Sequence, residues 1–191
     1  MKLKIYRIIQ ILLIIATAII AVLVIKKFYK SHKNDNLAKE IIQTIQEEQK
    51  TEANKIDAEM KGYKVIGIIK IPKIELEYPI LETTSIDSLN VSITKFWGND
   101  INEIGNVTLA GHNNLNGVMF GKIKKLNKGD IIELTDIQNI TLKYEVFDIK
   151  VIDPNDISCI LPIEQGRREV TLITCTNGRK NRLIVKAKEV I

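Results

Sequence analysis

Nucleophilic catalysis by cysteine needs a thiolate, a proton carrier for the leaving amine and donors for the oxyanion. Cys175, His112 and Arg182 supply those three residue types. Cys175 closes the segment Thr171 to Cys175, read TLITC, an apolar and β-branched run that would hold the thiol on a rigid strand end. Seven positions on, Arg182 opens a second apolar run (Leu183, Ile184, Val185), and the residues between carry Asn177-Gly178, a strong hairpin signal. Antiparallel pairing of the two runs sets Cys175 opposite Arg182 at the mouth of the loop. Arginine suits oxyanion binding because its fork of donors stays protonated. His112 follows another short strand, Val107 to Ala110. Each residue taken singly has an ordinary reading: a structural thiol, a solvated or capping histidine between Gly111 and Asn113, a surface arginine. His32 reads as solvated.

The elements that must position these groups are short. Candidate strands are Val65 to Ile71, Tyr78 to Leu81, Val107 to Ala110, Ile131 to Leu134, Thr141 to Asp153, Val170 to Thr174 and Arg182 to Val190, with a short helix over Phe120 to Leu126. So many short strands in one domain point to a closed or nearly closed β-barrel, because closure removes exposed sheet edges. In the last strand Leu183, Val185 and Ala187 share one face, and Arg182, Ile184, Lys186 and Lys188 the other. Arg182 can therefore look into a groove on the outer wall. Cys159, within Ile157-Ser158-Cys159-Ile160-Leu161, reads as a small buried hydrophobe, since a disulfide to Cys175 would consume the nucleophile.

Ile8 to Ile25 is almost unbroken in its apolarity. At about 1.5 Å per residue it is close to the length that crosses a bilayer. A cleavage site at Ala16-Thr17-Ala18 would lie inside the hydrophobic stretch, so an uncleaved anchor is the better reading. The expected organisation is a short tail over 1–7, a transmembrane anchor over 8–25, a polar and partly helical stalk over 26–61, and a catalytic domain over 62–191. Lysines and arginines flank the span on both sides, so the positive-inside rule does not orient it. Seven of the 28 basic residues, and no acid, fall in the first 34 positions, which leaves 21 basic against 23 acidic residues beyond them. The net charge of +5 thus belongs to the membrane flank, where cations can meet anionic lipid, and nucleic-acid binding loses its main support.

Four segments in order, Ile66-Gly67-Ile68-Ile69-Lys70-Ile71-Pro72-Lys73-Ile74, Leu109-Ala110-Gly111-His112, TLITC and Asn181-Arg182-Leu183-Ile184-Val185, make the chain resemble a sortase over roughly Tyr63 to Ile191. The resemblance implies a mainly β fold: a closed eight-stranded sortase-type barrel with short helices, preceded by one N-terminal transmembrane helix. It implies a cysteine transpeptidase of the Gram-positive cell surface, oriented with its N-terminus inside and its catalytic domain outside. Cys175 would attack the Thr-Gly bond of an LPXTG-like signal on a surface protein, His112 would carry the proton, and Arg182 would hold substrate carbonyls and the oxyanion. An amine such as that of the lipid II cross-bridge would release the product. Ala110, Ile173 and Thr174 match residues around the peptide groove, and Ile160 and Leu161 fall where the family receives the Leu-Pro portion of the signal.

The resemblance is closest to class D, with class A or E behind it, and implies no cofactor. Asp100, Glu103 and Glu164 are too scattered in sequence for a calcium site. Two alternatives stand beside it: an L,D-transpeptidase-like cell-wall enzyme, whose family pattern around the nucleophile differs from Ile173-Thr174-Cys175, and a non-catalytic membrane-tethered β-domain that binds wall polymers.

Overall fold

The computed structural model describes residues 2–51, 59–161 and 165–190. Among them, nine strands follow the N-terminal helix: β1 (Glu59–Met60), β2 (Tyr63–Ile71), β3 (Leu76–Leu81), β4 (Ile93–Gly98), β5 (Gly105–Ala110), β6 (Ile131–Asp136), β7 (Thr141–Ile152), β8 (Arg168–Thr176) and β9 (Asn181–Glu189). Side by side they run β2-β3-β4-β5-β8-β9-β7-β6, and β6 returns to pair with β2 from Gly67↔Asp136 to Lys70↔Glu133. The result is a closed eight-stranded barrel, with β1 a two-residue addition to the start of β2. Closure leaves every barrel strand paired on both sides, which is why β-branched runs such as Val65 to Ile71 can be buried through most of their length.

Two neighbouring pairs are parallel, β3 with β4 and β5 with β8, and each requires a crossover. The first passes through α2 (Ile86–Leu89), started by a capping box in which the Ser88 amide donates to Ser85 Oγ at 3.0 Å and the Ser85 amide donates to Ser88 Oγ at 2.7 Å. The second is the long excursion through a 3-10 turn at Phe120–Lys125, β6 and β7. It brings the end of β5 alongside the end of β8, two segments far apart in sequence.

All seven strands expected from periodicity form, with ends shifted by one or two residues. β1 and β4 were not expected. In β4, Thr94 and Lys95 interrupt the apolar run, and a register shift between Lys95 and Trp97 leaves both Phe96 and Trp97 exposed. Such a bulged strand carries neither strict alternation nor a continuous apolar block. Inside the barrel, Ile69, Leu81, Ile93, Leu109, Leu134, Leu172 and Val185 are fully buried around Tyr144 and Phe120. Burial of each aliphatic side chain stabilises by about 1.5–3 kcal/mol.

The N-terminal helix α1 is assigned over Lys2–Thr51, and the chain separates into a unit up to Asn34 and a unit from Asp35 onward. In the first, the side chains of Ile11 to Ile15 and Val22 to Ile25 are exposed and apolar, in a helix long and apolar enough to cross a membrane. In the second, Ala38, Ile42 and Ile45 are buried, and Leu37 and Ile41 pack against the barrel core. The helical spacing of these positions thus marks a packing face, so part of the segment expected as a stalk completes the domain. Its residues 52–58 lie outside the described ones.

Two buried tyrosines make an alkaline prediction. Tyr78 donates to the Asp35 carboxylate, and Tyr144 donates to Asn102 Oδ1 at 3.0 Å. Burial is the main cause that raises both hydroxyls above their ordinary value of 10.0, helped by Asp35 at Tyr78 and by the charge of Glu189 at Tyr144. The folded state therefore keeps both protons after the unfolded chain would release them. This stabilisation is fully present below the unfolded pKa of about 10 and falls by about 1.4 kcal/mol per pH unit per tyrosine above it. Thermal unfolding midpoints measured between about pH 9 and about pH 11 should drop steeply, and the Tyr78→Phe, Tyr144→Phe double variant should flatten that drop. An equal slope in the double variant would contradict the assignment.

Candidate active site

The parallel register of β5 and β8, from Gly105↔Arg168 to Ala110↔Ile173, carries the turn after β5 to the end of the TLITC strand. There the two segments are stitched together. The Gly111 amide donates to the Ile173 carbonyl at 3.2 Å, Thr174 Oγ1 donates to the Gly111 carbonyl at 2.6 Å, and Asn113 Nδ2 donates to the Cys175 carbonyl at 2.8 Å. Gly111 is required by close approach: a Cβ there would lie 2.8 Å from Cδ2 of the buried Phe120 ring. The Phe120 amide in turn donates to the His112 carbonyl at 3.1 Å. The His112 carbonyl is thus tied to Phe120 while its neighbours Gly111 and Asn113 are bonded to β8, which sets His112 at the rim of the barrel, half-buried.

On the other flank, β9 runs antiparallel to β8 with Cys175 directly opposite Arg182, as the hairpin reading required. The connecting turn has positive φ at Asn177 (48°), Gly178 (63°) and Arg179 (74°). This left-handed stretch suits Gly and Asn far better than other residues. Arg182 Nη1 donates to the carbonyls of Arg179 and Asn181, each at 3.2 Å, which folds the guanidinium back over the turn.

A cavity of about 300 Å³ lies over this junction, and Cys175, His112 and Arg182 all line it. Its walls are mainly apolar, with Leu89, Phe96, Ile157 and Ile184 prominent among them. Of the other positions singled out in the sequence, Ala110, Ile173, Thr174 and Ile160 also line the cavity. Thr174 is 3% exposed, so it contributes chiefly through its bond to Gly111. Leu161 is not part of the lining: its side chain is 61% exposed, and its carbonyl accepts from Lys186 Nζ at 2.9 Å. Residues 162–164, Glu164 among them, lie outside the described ones.

The two cysteines occupy different environments and are both free thiols. Cys159 is buried in a small apolar cluster with Ile152 and Ile184, outside the barrel wall. Burial, followed by the charge of Asp156, pushes its thiol pKa up, which keeps it protonated and inert. Cys175 is half-buried and reaches the cavity.

Sequence reasoning missed Asn113, Phe120 and Phe96. Asn113 acts on the site through its side-chain bond to the Cys175 carbonyl and Phe120 through its amide bond to the His112 carbonyl, contacts that only the fold reveals. Phe96 had a weak signal, an aromatic pair ahead of the turn residues Gly98-Asn99-Asp100.

A family model for the Sortase domain matches residues 69–190. The chain belongs to the sortase family. It is 33% identical to sortase A of Bacillus anthracis over 94% of its own length and 91% of that protein. Among solved structures, the sortase D5 transpeptidase of Clostridium perfringens superposes with a TM-score of 0.65 at 31% identity, covering 84% of this chain and 100% of that one. The sortase C of Clostridium perfringens, solved with the C-terminal cell wall sorting motif, gives 0.61 at 28% identity, over 84% and 91% of the two chains. Its barrel is thus the sortase fold, and this sortase is a cysteine transpeptidase that anchors proteins to the cell wall.

Proposed function

We propose that this sortase is a membrane-anchored enzyme, most like class D, that cleaves LPXTG-like sorting signals between Thr and Gly and transfers the protein to an amine of a cell-wall precursor. The observation that carries the reading is the convergence of Cys175, His112 and Arg182 on one apolar cavity, with Cys175 and Arg182 in register. A groove with apolar walls suits the Leu-Pro portion of such a signal, and the sorting motif seen with the Clostridium perfringens relative is a ligand of the same kind.

In the proposed reaction the Cys175 thiolate attacks the carbonyl carbon of the Thr-Gly bond. Arg182 binds the oxyanion that develops on the carbonyl oxygen. The C–N bond then breaks and the glycine amine leaves with a proton from His112, which gives a thioester on Cys175. The acceptor amine attacks that thioester and passes a proton to His112, so the C–S bond breaks, the new amide departs and the Cys175 thiolate is ready again. Residues 8–25 sit in the bilayer with the 1–7 tail inside, and the barrel works on the outer face. Lipid II is the expected source of the amine.

The full-length chain in detergent, incubated with an LPXTG-type peptide and an added amine, should yield the peptide cut between Thr and Gly and joined to that amine. The rate should fall on both sides of neutrality, because thiol and imidazole must hold complementary protonation states. Cleavage at another bond, or a rate constant from about pH 5 to about pH 10, would rule the mechanism out.

A further inference from the structure

The outer face of β5, β8 and β9 divides into two halves of opposite character. Towards the strand ends it presents Ala110, Ile173, Cys175, Arg182 and Ile184 to the groove. One step down the same face lie Asn106, Glu169, Thr171 and Lys186, at 3%, 3%, 0% and 2% exposure. Strand parity sends these polar side chains outward, yet they are buried. The segment from Ser158 to Leu161 covers them, and Asn106, Thr171 and Lys186 bind its backbone.

Three successive carbonyls of that segment are held from below. The Cys159 carbonyl accepts from Thr171 Oγ1 at 3.3 Å and from Asn106 Nδ2 at 3.4 Å. The Ile160 carbonyl accepts from Asn106 Nδ2 at 2.8 Å, and the Leu161 carbonyl from Lys186 Nζ at 2.9 Å. The donors are themselves oriented: the single Thr171 hydroxyl proton is shared between the Cys159 carbonyl and Asn106 Oδ1, the latter at 3.0 Å, and Glu169 Oε2 lies 3.6 Å from Lys186 Nζ. Burial lowers the pKa of Lys186, and the charge of Glu169 opposes that shift. A buried ion pair is weak evidence for stability and is well suited to holding one arrangement. Above this platform, Ile157, Cys159 and Ile160 form a wall of the cavity.

We infer that Asn106, Thr171 and the Glu169–Lys186 pair are positioning residues that hold the 159–161 segment in place, so that Cys159 and Ile160 stand as a ready wall of the groove and the sorting peptide meets a pocket already built. The inference rests on reading that groove as the sorting-signal site. A preformed wall saves the ordering cost of binding, so loosening it should weaken peptide capture while leaving the reacting groups at Cys175 untouched.

The test uses the full-length enzyme in detergent with an LPXTG-type peptide. Thr171→Val removes the hydroxyl at nearly constant shape, Thr171→Ser restores it, and the Lys186→Met, Glu169→Gln double variant removes the ion pair without leaving a lone charge. KM should rise about tenfold in Thr171→Val and in the double variant, with kcat within about twofold, and Thr171→Ser should keep the parent KM. Amide hydrogen exchange at residues 159–161 should speed up in the same two variants, at an unchanged rate of Cys175 alkylation by iodoacetamide. Parent KM and parent exchange in folded Thr171→Val, or a fall in kcat at constant KM, would overturn the inference. If the double variant does not fold, the Thr171 pair decides. If the parent enzyme turns over no LPXTG-type peptide, the groove reading fails, and exchange at 159–161 alone then judges the anchoring.

Discussion

Cys175→Ala is expected to abolish transpeptidation, with a loss on the order of 10⁴-fold or more, and with it the covalent adduct that mass spectrometry should detect on the parent enzyme. Alanine keeps the strand but removes the atom that forms the thioester, so no alternative route remains for acyl transfer. The informative control is the second thiol. Cys159 also borders the cavity, but it is 3% exposed, sits in an apolar cluster and has its pKa pushed up by burial. Cys159→Ala should therefore keep kcat within about threefold and cost about 1 kcal/mol of stability through lost packing. An active Cys175→Ala enzyme, or an adduct mapped to Cys159, would overturn the assignment of the nucleophile. Binding of peptide without turnover by both the parent and Cys175→Ala would instead favour the non-catalytic β-domain.

Arg182→Ala should lower kcat by about 100- to 1000-fold, the range found when an oxyanion donor is removed. Arg182 lies opposite Cys175 in the β8–β9 register and lines the cavity, whereas the nearby Arg179 is exposed in the turn and is not part of the lining. Arg179→Ala should thus change kcat by less than about threefold. Arg182→Lys is the sharper variant. Lysine preserves the charge but presents a compact ammonium on a flexible stem, so it should recover little of the activity if a planar fork of donors is needed. Full rescue by lysine would show that charge alone is used. Equal effects at Arg179 and Arg182 would show that neither guanidinium touches the reacting carbonyl.

The chemistry-bearing residues were legible because their signals are local. TLITC is a β-branched run that ends at a thiol, Asn177-Gly178 marks the turn, and alternation along Leu183 to Ala187 separates a core face from an outer face. Together these place Arg182 opposite Cys175 without any knowledge of the rest of the fold. The barrel was legible as a class for the same reason, and β4 escaped because its bulge breaks alternation where Phe96 and Trp97 both turn outward. The helical spacing of Leu37, Ile41, Ile42 and Ile45 was visible too, but periodicity names a face and not the surface it meets. Only the folded chain shows that Leu37, Ile41 and Ile45 pack on the barrel core.

Parity also has a limit, seen in β9. It sends Lys186 outward, which reads as solvent exposure, and yet Lys186 is 2% exposed under the 159–161 segment. Whether an outward side is wet depends on what covers it, and here the cover comes from the β7–β8 connection. The sequence by itself determined the types of the reacting groups, the strand ends that carry them and the pairing of Cys175 with Arg182, because turns and alternation act over a few residues. The tertiary structure decided the approach of His112 through the parallel β5–β8 pair, the apolar walls of the cavity and the buried polar floor beneath one of them. Those depend on contacts between segments tens of residues apart, whose formation is governed by barrel closure and not by local preference.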